Sequence, residues 1–202
     1  MRNIITTTFL AMDGVYQAPG GPEEDTSGGF AHGGWSFGYW DDVMGNTLSA
    51  FLAQPFELLL GRRTYDIFAA YWPTTDKDPE VAKPFNETRK YVVSRSPKEL
   101  AWQNSTLITG DVVSQLRKLK EADAPDLWVH GSGNLIQTLL ANGLVDRMHI
   151  WTFPLTLGSG KRLFAGSTPA SGWKLVDSKI ATTGVIIGTY EPAGEIKKGS
   201  FA

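Results

Sequence analysis

Leu127-Trp128-Val129-His130 is a short apolar run that breaks at Gly131-Ser132-Gly133-Asn134 and resumes at 135–140 with helical spacing, closed by Asn142-Gly143. The same sequence of events occurs earlier. Phe56-Glu57-Leu58-Leu59-Leu60 ends at Gly61-Arg62-Arg63-Thr64, and Tyr65, Phe68 and Ala69 then follow at helical intervals. Lys90-Tyr91-Val92-Val93-Ser94 is a third such run, ended by Arg95-Ser96-Pro97. Apolar runs without polar alternation suit strands buried on both faces, and strands that alternate with helices pair in parallel. The predicted fold class is therefore α/β: three layers, with helices on both faces of a mostly parallel sheet.

The rest of the chain fits this frame. Residues 3–10 and 148–153 are β-branched or apolar runs, 106–109 is a brief one, and 40–53 and 112–121 have helical spacing, with a short helix near 81–86. Two further β runs, 173–178 and 184–190, flank a turn at Thr182-Thr183-Gly184 and predict an antiparallel C-terminal hairpin at the edge of the sheet. No repeat of 20–50 residues is evident, and 202 residues suffice for one domain, 1–202, held by its own core.

Composition removes several function classes. The 19 Lys and Arg against 21 Asp and Glu, with a pI near 5.9, leave no electrostatic footprint for nucleic acid or an anionic membrane. The absence of Cys excludes thiolate metal sites, redox pairs and cysteine nucleophiles. No window reaches the ~18 apolar residues of a spanning helix and residues 1–8 lack a signal-like apolar stretch, so a soluble cytoplasmic protein is expected. His32, His130 and His149 show no ligand spacing, so no metal is expected. Gly158-Ser159-Gly160-Lys161 fails as a P-loop, with Leu155 in place of the first glycine and Arg162 in place of the magnesium-binding hydroxyl.

What remains points to a phosphate-bearing small molecule. Glycines at a strand-to-helix turn let an anion approach the backbone, and the helix start offers unpaired N–H groups. Gly131, Ser132 and Gly133 form one such turn, Gly61 to Thr64 a second that adds two guanidinium groups, and Ser94, Arg95 and Ser96 a third strand end. In open α/β sheets ligands bind beyond the carboxyl ends of the strands, where these three would converge. The bland alternatives are tight connections and solvated arginines. Residues 17–38 are rich in glycine yet carry Phe30, His32, Trp35 and Phe37, which suits a binding loop or lid. Asp41 and Asp42 open a helix, where they complement its dipole.

The succession FLAMDGV, LLLGRRTYDIF, YVVSRS, LWVHGSGNLIQTLL, GLVDRMHIWTFPLTLGSGKRLF and GVIIGTYEP resembles the dihydrofolate reductase-like superfamily over residues 3–192, in the branch of the riboflavin-biosynthesis reductase domain. The resemblance implies NADPH. It assigns Gly61, Arg62, Arg63 and Thr64 to the 2′-phosphate and pyrophosphate, Ser94, Arg95 and Ser96 to the adenosine side, and Gly131, Ser132, Gly133, Asn134 and Leu135 to the pyrophosphate. Residues 13–16 would lie over the nicotinamide. Trp35, Phe37, Trp40 and Asp41 would border the substrate, with Asp42, or else a water, as proton donor. The carboxylate that grips the pterin in dihydrofolate reductases would fall near Gly45, about one helical turn beyond Asp41 and Asp42. The expected function is hydride transfer to a small planar heterocycle or related C=N or C=O compound. The alternatives are a non-catalytic NADP(H)-binding module, a true dihydrofolate reductase, or a structural oligomer whose glycine turns are mere connections. A homodimer is expected through the C-terminal strands, with Val185-Ile186-Ile187 as an apolar run near an edge.

Overall fold

The computed structural model describes residues 1–96, 98–164 and 168–201. Pro97, expected to end the third run, lies outside them. The strands are β1 (Ile4–Ala11), β2 (Phe56–Gly61), β3 (Lys90–Val93), β4 (Ser105–Ile108), β5 (Asp126–His130), β6 (Arg147–Phe153), β7 (Gly172–Ile180) and β8 (Ile186–Gly194). Among the described residues the α-helices are α1 (Asp42–Leu52), α2 (Arg62–Tyr71), α3 (Pro79–Glu87), α4 (Val112–Glu121) and α5 (Gly133–Ala141). The sheet order is β4-β3-β2-β5-β1-β6-β8-β7, parallel through β6 and antiparallel from β6 to β7.

This order places the site. β5 returns between β1 and β2, so the glycine turn that follows it sits beside the ends of both. Period-2 alternation along β1 divides its side chains between two layers. Ile4 and Leu10 join Leu127, Val129, Leu116 of α4 and Leu135, Ile136 and Leu139 of α5. Ile5 faces the other way, with Leu58, Leu60, Trp128, Tyr65 of α2 and Phe85 of α3. Farther along that face, Met44 of α1 packs on Trp151, Phe153 and Ile187, with Phe9 alongside.

The C-terminal hairpin forms as expected, and its order sets the 185–187 run one strand in from the edge, with Ile186 exposed. β8 lies between β6 and β7, and Val185 and Ile187 are buried. Pairing on both sides removes the apolar 185–187 run from the edge. The edge strand is β7, which exposes Leu175, Val176 and Ile180.

Candidate functional site

At the carboxyl ends of β2 and β5 two turns are joined through one hydroxyl. Ser132 Oγ accepts from the Gly61 backbone N–H at 3.0 Å and donates to Thr64 Oγ1 at 2.8 Å. A Cβ at Gly61 would stand 3.3 Å from both the Ser132 Cβ and Oγ, so the approach of the two turns depends on glycine there. Gly131 and Ser132 both adopt positive φ, at 53° and 63°, which turns the chain into α5 with its first N–H groups uncapped by a side chain. Asn134 is exposed at that start, whereas Leu135 points into the core and offers only its backbone.

The arginines part company. Arg62 is braced: its Nε donates to Asp66 at 2.8 Å and its Nη1 to the Lys98 carbonyl at 3.0 Å. Arg63 is more exposed and reaches Asp25 of the glycine-rich segment, Nη2 to Oδ1 at 2.5 Å. At the end of β3, Ser94 and Ser96 close on each other, with Ser94 Oγ accepting from the Ser96 N–H and donating to its carbonyl, both at 3.0 Å. Arg95 is exposed beside them.

The glycine-rich segment is folded onto this end of the sheet. Buried Gln17 organises it, donating to the carbonyls of Asp25 and Ser27 at 2.9 Å and accepting from the Lys161 N–H at 3.0 Å. The Asp25 carboxylate also accepts from Lys161 Nζ at 2.6 Å and from Ser27 Oγ at 2.6 Å. Burial works to raise the pKa of Asp25, but the bonds from Lys161 and Ser27 and the Lys161 charge outweigh it and hold the carboxyl below its usual range. Tyr16 extends from the loop after β1 across the α5 start, where a Cβ on Gly133 would overlap its ring and hydroxyl. Burial raises the pKa of that phenol, and the Asp25 charge adds to the effect.

Beyond β1 and β6 the lining becomes aromatic. Trp40 stacks on Trp151 with ring centroids 6.0 Å apart, Trp35 meets Phe153 edge-on at 5.1 Å, and Phe9 lies 5.2 Å from both Trp151 and Phe153. Phe37 projects outward at 87% exposure. Asp41 caps α1, with Oδ1 accepting from the Met44 N–H at 2.9 Å, while Oδ2 accepts from the N–H and hydroxyl of Thr182 at 2.6 and 2.7 Å. The Met44 bond, then those from Thr182, keep its carboxyl below the usual range. Both oxygens are thus engaged in fastening α1 to the β7–β8 turn. Asp42, the other acid expected near the substrate, is exposed on the first turn of α1.

His130 and His149 flank Thr7 in the sheet and are packed, as residues in β runs are expected to be. Burial holds both imidazoles down at about 4, assisted at His130 by His149 and at His149 by Arg147. Among the described residues no group of three or more His, Asp or Glu side chains is arranged to hold a metal, and no helix is long and apolar enough to cross a membrane.

The sequence alone did not single out Gln17, Asp25 or Lys161. Lys161 lies in the Gly158-Ser159-Gly160-Lys161 motif, which fails as a P-loop but whose lysine faces the same end of the sheet as Arg63.

The chain matches the model of the RibD C-terminal domain across residues 2–187. It is 29% identical over 188 residues to the uncharacterized protein YyaP of Bacillus subtilis, covering 92% of each chain. Among solved structures, a putative riboflavin biosynthesis protein from Shewanella sp. PV-4 is similar at TM-score 0.67 and 20% identity, over 94% of this chain and 98% of that one. Dihydrofolate reductase from Enterococcus faecalis, complexed with NADP(H) and RAB-propyl, is similar at TM-score 0.59 and 14% identity, over 95% and 96%. A pyrimidine reductase-like protein from Corynebacterium diphtheriae is similar at TM-score 0.61 and 12% identity, over 98% and 93%. The order of strands, the joined glycine turns and the family match agree: this chain belongs to the RibD C-terminal domain family and has the dihydrofolate reductase-like fold.

Proposed function

We propose that the protein is an NADPH-dependent reductase of small planar heterocycles or related C=N or C=O compounds. The observation that carries this reading is the joining of the Gly61 and Gly131–Gly133 turns through Ser132, with Arg63 beside them and an aromatic wall one strand away. An extended ligand with phosphates at one end and a flat ring at the other suits that layout. The Enterococcus dihydrofolate reductase of the same fold holds NADP(H), which supports the choice of cofactor.

The residues fit such a group. The backbone N–H groups at the α5 start and the Thr64 hydroxyl would take the pyrophosphate, with Arg63 and Arg95 as countercharges. Bound NADPH would supply the hydride. Trp35 and Trp40 would hold a planar acceptor by ring contact and exclude water from it. The exposure of Asp42 favours water, the other donor expected from the sequence, and the engagement of both Asp41 oxygens in capping argues against a dihydrofolate reductase-type carboxylate on α1.

NADPH titration by quenching of tryptophan fluorescence, beside NADH and an Arg63→Ala variant, tests the reading. Micromolar NADPH binding that weakens at least about tenfold in the variant is expected. Absence of binding of either nucleotide sinks it. A homodimer is proposed on the hairpin face that carries Leu175, Val176 and Ile180, and sedimentation of Ile180→Lys, expected to be monomeric, checks it.

A further inference from the structure

Asp25 is an anion held where an anion-binding site would put one. Its residue is 8% exposed, and its two carboxylate oxygens divide between Arg63 and Lys161 at 2.5 and 2.6 Å, with the Ser27 hydroxyl on the Arg63 side. Lys161 Nζ also contacts Ser27 Oγ at 2.9 Å. Two cations and a hydroxyl around one carboxylate form the donor set of a phosphoryl cradle. One of the cations, Arg63, stands on the first turn of α2, beside the joined glycine turns. An open recess of about 280 Å³, lined by Gln17, Ser27, Phe30, Ser159, Gly160 and Lys161, adjoins the lysine.

The segment that delivers Asp25 carries little regular structure: no helix longer than three residues occurs between Ala11 and Asp42. Its ends are anchored by Ala18 and Phe30, which pack on Ala11 and Val15, whereas the stretch between them is held to the sheet end through Gln17 and the Asp25 ion pairs. Tyr16, at the base of the same segment, covers Gly133, where a phosphate would have to reach the α5 backbone. The segment and a phosphate-bearing ligand therefore compete for one space and one set of charges.

We propose that Arg63, Lys161 and Ser27 form an oxyanion cradle for a phosphoryl group of the ligand, that Asp25 fills this cradle in the free protein, and that ligand phosphate displaces Asp25 and loosens residues 20–29 between the Ala18 and Phe30 anchors. The proposal rests on the cofactor reading only in naming the phosphoryl group as the cofactor's pyrophosphate. Lys161 becomes a ligand-binding residue, and Asp25 a competitor whose removal tightens binding. Affinity measured on the free protein is reduced by the fraction of molecules in which the cradle is closed.

Calorimetric titration of wild type, Asp25→Asn and Lys161→Met with inorganic pyrophosphate, and separately with NADPH, tests this. Asp25→Asn is expected to bind pyrophosphate about tenfold more tightly than wild type and Lys161→Met about tenfold more weakly. Equal or weaker binding by Asp25→Asn overturns the proposal. Should that variant not fold, hydrogen exchange on wild type decides: amides of residues 20–30 are expected to exchange faster with pyrophosphate present, and unchanged or slower exchange overturns the proposal. Loss of NADPH binding with the pyrophosphate pattern intact sinks the cofactor reading alone. Tight NADPH binding with equal affinities for NADPH and for pyrophosphate in all three proteins sinks the cradle alone.

Discussion

At the ends of β2 and β5 the groups that face the site are backbone N–H groups, hydroxyls and guanidinium groups, whereas beyond β1 and β6 they are ring faces. The polar half is assembled from residues close in sequence, within Gly61–Thr64 and Ser132–Leu135, and joined by one serine. The aromatic half draws Phe9, Trp35, Trp40, Trp151 and Phe153 from three distant stretches. Its geometry is part of the core: Trp151 is fully buried, and the rings that would meet a substrate also hold α1 against the sheet. In the polar half Gly61, Arg62, Thr64 and Ser132 are half-buried, and the side chains of Arg63 and Asn134 are exposed. Stability and ligand contact are thus coupled in one half and nearly separate in the other.

The hardest blow to this contrast is Trp151→Ala, which removes a fully buried indole. It is expected to cost about 3–5 kcal/mol in urea unfolding. Arg63→Ala, whose side chain is more than half exposed, is expected to leave the unfolding midpoint nearly unchanged. Equal losses would abolish the distinction. Next comes acid. His130 and His149 are neutral when folded, with pKa values held at about 4, and titrate near 6.5 when unfolded. The unfolded chain binds more protons between those values, so stability is full above about 6.5 and falls as pH drops toward 4, by roughly 3 kcal/mol for each ring. His130→Phe, placed among Phe68, Phe85 and Trp128, is expected to remove about half of that loss. Urea unfolding of both proteins at pH 7 and pH 5 measures it. The smallest effects separate two neighbouring acids. Asp41→Ala, which loses the α1 cap and the Thr182 bonds, is expected to lower Tm by about 3 °C. Asp42→Asn is expected to leave Tm within about 1 °C and NADPH turnover within about threefold of wild type, since general acid catalysis is worth about a hundredfold or more where it operates.

The polar half was legible in the sequence because its information is local. A glycine after an apolar run and a pair of arginines declare turn and charge without reference to anything distant. The expected helix at 112–121, and the strand before and helix after each glycine turn, match the structure for the same reason: periodicity is a property of neighbouring residues. The aromatic half was legible only as a set of aromatic residues. Asp41 illustrates why. As a residue type at a helix start it suits a cap and a ligand equally, and only the arrival of Thr182 from the far hairpin uses up its second oxygen.

The sequence by itself determined the α/β class, the parallel sheet, the hairpin and the glycine turns, since each follows from short-range pattern and backbone sterics. Only the tertiary structure decided which strand became the edge, which of two adjacent arginines is braced and which faces Asp25, and that a lysine from a rejected motif stands beside Arg63. The physical reason is one of range. Local sterics and periodic burial are fixed within a few residues, whereas ion pairs and edges depend on which distant segment the sheet order brings alongside, and β5 returning between β1 and β2 settles that order here.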